Sequence, residues 1–283
     1  MRSRLSLLRS VILLAVLAGA GVVRAEPWNM LFVFGDSYSD SGAGYVYGDG
    51  PTAVVRLAEG LGIPFTQAHD PKRAGKGLNF AVSGARTGVG EGNRIEGKVL
   101  GLGMWNQVDD FVKRVAAGEV KFDSDRTLFF IAGGLNDVRV PAETTVANLC
   151  SEMRLLHGAG ARHFLVALLP TKIPGFGITG RRLNPAIARI PETFHLDGAT
   201  IQLSHWGEFF DAVYDDPKRY GITNITDACA GRALFGEDPT PRGDPKTYYF
   251  YYSGHPSAAV HRVVGEWLVR EARAAEPAVA AVK

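Results

Sequence analysis

Three short stretches of the chain, Leu31 to Phe34, Leu128 to Ile131 and Phe164 to Leu169, are continuous apolar runs. A strand with one wet face alternates apolar with polar residues, so unbroken runs predict strands covered on both faces, as in a parallel sheet. Parallel neighbours cannot be joined by a tight turn and need crossovers, usually helical. The intervening and following segments supply them. Val54, Leu57, Ala58 and Leu61 form one helical stripe, and Met104, Val108, Phe111, Val112 and Val115 a second. Val146, Leu149, Cys150, Met153 and Leu156 form a third, and Val260, Val263, Val264, Trp267 and Leu268 a last. Strands alternating with helices imply right-handed βαβ units, hence an α/β fold built as a three-layer α/β/α sandwich. At 283 residues the chain can bury such a core in one domain, assigned to residues 26–283.

A fourth buried strand is expected at Thr200 to Ser204, where Ile201 and Leu203 alternate with polar residues. Two stretches rich in Pro and Gly, Thr171 to Pro191 and Gly236 to Thr247, read as long loops that either wall a site or merely cross the surface.

Residues 1–25 read differently. Arg2, Arg4 and Arg9 precede an uncharged run from Val11 to Val23, and the segment closes on Val23, Arg24 and Ala25. This is the pattern of a cleavable signal peptide, and a run of about 13 residues is short of the ~20 that span a bilayer. The expected address is therefore secreted or periplasmic, with no permanent membrane anchor. Removing four arginines leaves 27 basic against 29 acidic residues, so net +2 becomes −2. With no basic cluster beyond short pairs, nucleic acid is not an expected partner. Cys150 and Cys229 could form one disulfide, but Cys150 falls on an apolar helical face, which favours a buried thiol. Two cysteines without HExxH or a close His pair make zinc an unlikely ligand, so no metal is expected.

Gly35, Asp36 and Ser37 follow the first buried strand directly, placing Ser37 at a strand's carboxyl end, where open α/β sheets bind ligands. The tripeptide alone would fit a turn. The longer string Phe32 to Gly42, FVFGDSYSDSG, resembles the first signature block of the GDSL, or SGNH, hydrolases. Three further blocks follow in that family's order: Asn79 to Thr87 (NFAVSGART), Ile131 to Asp137 (IAGGLND) and Gly254 to Ser257 (GHPS). Asp216 to Cys229 (DPKRYGITNITDAC) is similar to a segment of its bacterial lipase and haemolysin-like branch. The resemblance runs from about Phe32 to Trp267 and implies a flavodoxin-like parallel sheet.

It also implies roles. Acyl transfer needs a nucleophile, a base and donors aimed at the developing oxyanion. Ser37 supplies the hydroxyl, and His255 is the base, because imidazole can take and return a proton near neutral pH. By resemblance the oxyanion donors are the backbone N–H groups of Ser37 and Gly84 and the side-chain amide of Asn136. Asp36, Asp40 and Asp137 are expected to hold turn backbones. No cofactor is implied.

One position departs from the family. Its usual aspartate three residues before the histidine is replaced here by Tyr252, within the aromatic run Tyr248 to Tyr252. A phenol with pKa of about 10 is neutral at pH 7 and cannot act as that carboxylate. Three readings stay open: a backbone carbonyl holds the imidazole, Asp244 or Asp238 swings in, or turnover is impaired. The aromatic run itself reads as a packed strand rather than a pocket wall. Gly92 to Val99 imitates a nucleotide-binding P-loop but lacks its Ser/Thr. Ser39 occupies the second glycine of a GxSxG elbow, disfavouring the α/β-hydrolase fold. The expectation is a secreted serine esterase or lipase acting on a lipid, a short-chain ester or an acylated sugar. The alternatives are an acyltransferase using the same acyl-enzyme and a non-catalytic lipid- or carbohydrate-binding module.

Overall fold

Met30–Gly35 forms β1, buried from Leu31 onward, in a computed structural model that describes residues 27–277. The predicted signal peptide, residues 1–25, lies outside the described residues. β1 leads to α1 (Ala53–Leu61), then to the short strands β2 (Phe65–Gln67) and β3 (Gly77–Asn79). A hairpin of β4 (Glu91–Ile95) and β5 (Lys98–Leu102) precedes α2 (Met104–Ala116). β6 (Thr127–Ala132), α3 (Ala142–Gly158), β7 (His163–Ala167), α4 (Gly177–Ile187), the single turn α5 (Ile190–Thr193) and β8 (Thr200–Ser204) follow. The chain closes with α6 (Trp206–Asp215), β9 (Asn224–Ala228), β10 (Tyr248–Tyr252), β11 (His255–Pro256) and α7 (Ala258–Ala274).

Six strands make one sheet in the order β2-β3-β1-β6-β7-β8, and every pairing in it is parallel. Helices cover both faces, as the apolar runs require. Phe32 and Phe129 pack their rings on Phe111 of α2, whereas the adjacent Phe130 meets Trp206 of α6, so consecutive residues of β6 feed opposite layers. α1, α7 and α6 pack in series, as do α2, α3 and α4. This is the three-layer α/β/α sandwich expected from the sequence. β1 pairs with β3 on one side and β6 on the other, so the chain reverses its direction of travel across the sheet at β1. In an open α/β sheet that switch point, at the strands' carboxyl ends, is where a ligand crevice forms. Gly35 ends β1 there, and a Cβ on it would lie 2.5 Å from the Ala132 carbonyl oxygen of β6. Only glycine lets the two strand ends approach so closely.

Three expectations need correction. Thr200 to Ser204 is a strand, but it is the sheet's edge, with Thr200 and Gln202 exposed rather than buried. The middle of the stretch expected as a loop over Thr171 to Pro191, Gly177–Ile187, is helix α4 despite Pro185. Buried Leu183 and Ile187 and the side chain of Asn184, which bonds both the N–H and the carbonyl of Leu169, outweigh the one helical bond that proline forfeits. Cys150 is only half-buried on α3, while Cys229 is buried, and both thiols are free. The aromatic run does form a strand, β10, in a separate three-stranded sheet with β9 and β11.

Candidate active site

The turn after β1 is fixed before any side chain acts on a substrate. The Asp36 carbonyl accepts from the N–H of Ser39 and of Asp40, each at 3.0 Å, and the Asp36 carboxylate accepts from Tyr38 N–H at 3.1 Å. Gln107 of α2 clamps the strand end, accepting from Gly35 N–H and donating to the Gly35 carbonyl. Asn79, at the end of β3, donates to the Ser39 carbonyl at 2.6 Å. Ser37 therefore sits on a turn closed by its own hydrogen bonds and braced by two elements, α2 and β3.

Gly84 is placed from both sides. Asp40 accepts from Ser83 N–H at 2.8 Å, tying the residue before Gly84 to the Ser37 turn. The Asn136 amide donates to the carbonyl of Ala85, the residue after it, at 2.9 Å. Gly84 itself has φ +80°, and a Cβ there would lie 3.3 Å from Gly101 N, so a side chain would be both strained and crowded. Among the described residues, neither Ser37 N–H nor Gly84 N–H donates to a protein acceptor. Asn136 spends one of its two amide hydrogens on Ala85 and keeps the other. Its neighbour Asp137 accepts from Thr87 N–H and from the hydroxyls of Thr87 and Thr145, holding the second block against the third.

His255 arrives from the far end of the chain. Its loop is latched by Tyr38, whose hydroxyl donates to the Gly254 carbonyl at 2.7 Å. Ser37 Oγ then stands 2.8 Å from His255 Nε2, with both residues buried. On the other side of the ring, Nδ1 lies 3.0 Å from the Ser253 carbonyl oxygen. A carbonyl can only accept, so Nδ1 carries the proton and Nε2 presents its lone pair to the serine hydroxyl. Of the two groups the sequence offers to hold the imidazole, a backbone carbonyl or a loop aspartate, the geometry has the carbonyl. Asp244 and Asp238 instead accept from N–H groups of their own turns, Lys246 and Thr240. Tyr252 pairs with Tyr45, and burial pushes its phenol well above the usual range, so it stays neutral.

Burial holds the His255 imidazole down to about 4; the Ser253 bond opposes that shift and the nearby Arg232 charge adds to it. Burial also pushes the Asp36 carboxyl up to about 7, against the bond from Tyr38. A cavity of about 430 Å³ lies beside the loop that precedes His255, lined by Val138, Phe176, Phe250, Ser253 and Gly254 among others. Phe176 reaches from it to the imidazole, ring centroids 5.7 Å apart. Among the described residues no three His, Cys, Asp or Glu side chains converge as a metal site, and no helix is long and apolar enough to cross a membrane.

The structure thus joins Ser37 and His255 directly, and brackets Gly84 between residues bonded to the Ser37 turn and to Asn136. Sequence reasoning missed Ser253, Tyr38 and Gln107. Tyr38 lies inside the first block and was within reach; a clamp from α2 or a backbone carbonyl has no residue signature.

Residues 31–268 match the family described as GDSL-like Lipase/Acylhydrolase. No curated protein matches the chain. Among solved structures, a lipolytic protein of the G-D-S-L family from Veillonella parvula shares 11% identity over 86% of this chain and 96% of that one, TM-score 0.44. A psychrotrophic esterase, EstA, from Pseudoalteromonas sp. shares 12% over 87% and 96%, TM-score 0.42. A putative lipolytic G-D-S-L protein from Desulfitobacterium hafniense shares 13% over 86% and 98%, TM-score 0.43.

Proposed function

The chain belongs to the GDSL-like lipase/acylhydrolase family, and from that premise we propose that it is a serine ester hydrolase working through Ser37 and His255 without a carboxylate. The observation that carries this reading is the continuous line Ser37 Oγ, His255 Nε2, His255 Nδ1, Ser253 O, with links of 2.8 and 3.0 Å. Ser37 Oγ attacks the ester carbonyl while its proton passes to Nε2. The oxygen that becomes negative is met by Ser37 N–H, Gly84 N–H and the free hydrogen of Asn136. The imidazolium returns its proton to the leaving alcohol, and water, deprotonated by the same nitrogen, releases the acyl group. The cavity beside Phe176 offers an apolar wall to one arm of the substrate.

The arginine-flanked apolar run over residues 1–25 supports export, with a mature protein starting near Glu26; the N-terminal mass of the secreted form checks this. The test of the activity is hydrolysis of chromogenic esters from acetate to palmitate by the mature protein beside Ser37→Ala, with fluorophosphonate labelling of both. Turnover and labelling by the wild type alone uphold the proposal. Equal behaviour of the two proteins removes Ser37 as nucleophile, and binding without labelling would favour a lipid- or carbohydrate-binding module. Acyl transfer to an added alcohol, outpacing hydrolysis, would favour the acyltransferase.

A further inference from the structure

A base that takes the serine proton becomes a cation, and a buried cation needs a counterpart. In this site the group on Nδ1 is a carbonyl, a dipole rather than a full charge. The charged side chain that bears on His255, Arg232, opposes the cation, and the buried His261 lies close enough for the two imidazoles to disfavour each other's protonation. Tyr38 and Phe176 meet the ring obliquely, at 51° and 83°.

Tyr47 meets it face to face. Its ring lies 4.2 Å from the imidazole, centroid to centroid, at an interplanar angle of 20°. That face is the negative pole of the aromatic quadrupole, and it attracts a cation set above it. Tyr47 is held in place on several sides. Tyr45 and Tyr252 abut it edge-on at 4.9 and 6.4 Å, and Phe235 stacks at 27°. The Arg232 charge bears on the Tyr47 phenol, and Arg232 covers the Phe235 ring at 4.8 Å and is pinned by Glu237 at 2.7 Å. Tyr252, in the position of the family's missing aspartate, thus buttresses the ring that touches the base.

Resting on the dyad reading above, we propose that Tyr47 is the positioning residue of His255: its face fixes the imidazole plane and stabilises the imidazolium, the part otherwise given to a carboxylate. Proton transfer from Ser37 puts positive charge on a ring already stacked on an electron-rich face, so the contact strengthens as the transition state forms. It should therefore act on kcat and leave KM alone.

The test grades the face without changing its shape. Tyr47→Phe serves as the baseline, and 4-fluoro-, 3,5-difluoro- and 3,4,5-trifluorophenylalanine replace it in turn, each drawing density from the ring. The expected result is a stepwise fall in kcat, roughly 5- to 30-fold over the series, at constant KM. The His255 imidazole, titrated by NMR in the same proteins, should become harder to protonate in parallel. A flat kcat and a flat titration across the series would overturn the proposal, because packing alone is blind to fluorination. Failure of the dyad reading looks different. A wild type that neither hydrolyses esters nor labels at Ser37 removes the activity, while the titration series still decides what Tyr47 does to His255.

Discussion

Acidification is the perturbation that best distinguishes this base from an ordinary one. Burial holds His255 down to about 4, against about 6.5 for a solvated imidazole. General-base catalysis requires the neutral ring, so kcat/KM should fall only as the pH drops through about 4. At pH 5.5 a base titrating at about 4 is about 97% neutral, whereas one titrating at about 6.5 is about 9% neutral. Between pH 8 and 5.5 the structure therefore predicts nearly constant kcat/KM, where an ordinary histidine would lose about tenfold. Initial rates on a soluble chromogenic ester at fixed ionic strength, with circular dichroism at each pH, make the measurement. An acid limb centred near 6.5 in folded protein would refute the argument that burial keeps this base uncharged.

Stability should have its own pH profile. Burial pushes Asp36 up to about 7 and Glu152 up to about 8, while His261, like His255, is pulled down, to about 3. Above pH 6.5 the unfolded carboxyls have lost protons that the folded ones still hold, so stability falls by about 2 to 3 kcal/mol between pH 6.5 and 8. Below 6.5 the unfolded histidines take protons that the folded ones refuse, and this loss is balanced by the acids until about pH 4, below which it stands alone. Tm should peak between about pH 4.5 and 6.5, and Glu152→Gln should flatten the alkaline decline; a Tm rising from pH 6 to 8 contradicts the assignment. Asn136→Ala removes an oxyanion donor and should lower kcat by roughly 10² to 10³ with a small change in KM, measured by steady-state kinetics; a loss under threefold would exclude Asn136 from the oxyanion site. Both cysteines are free, so unreduced, denatured mature protein should titrate two thiols per chain with Ellman's reagent, and none would mean a disulfide.

Much of this molecule was legible because it is written in side chains. β1, β6 and β7 announce themselves as unbroken apolar runs, and α1, α2, α3 and α7 as stripes, since burial on two faces or one leaves a periodic trace. β2 and β3 are three residues each, too short to show a period. The β4–β5 hairpin, in the Gly-rich stretch that imitates a P-loop, has no buried residue in either strand and carries no core pattern. α4 hid behind Pro185 because its warrant is tertiary, the fit of Asn184 against Leu169. In the site, Ser37 and His255 were legible from their blocks. What holds His255 was not, because the Ser253 carbonyl is a group every residue owns, and the Tyr47 stack depends on the path of a loop.

The distance along the chain between the proposed nucleophile and base has a consequence for the order in which the protein acquires its properties. Ser37 and His255 are 218 residues apart, and bringing the ends of so long a segment together costs on the order of 5 kcal/mol of chain entropy. The closure is completed by the last elements made: β11 runs straight into α7, and α7 docks on α1. A growing chain can assemble β1, β6 and β7 and still carry a serine with no base beside it. The proposed ester-cleaving activity is therefore expected last, in the step that seats the C-terminal helix, and a refolding experiment followed by activity should lag one followed by secondary structure.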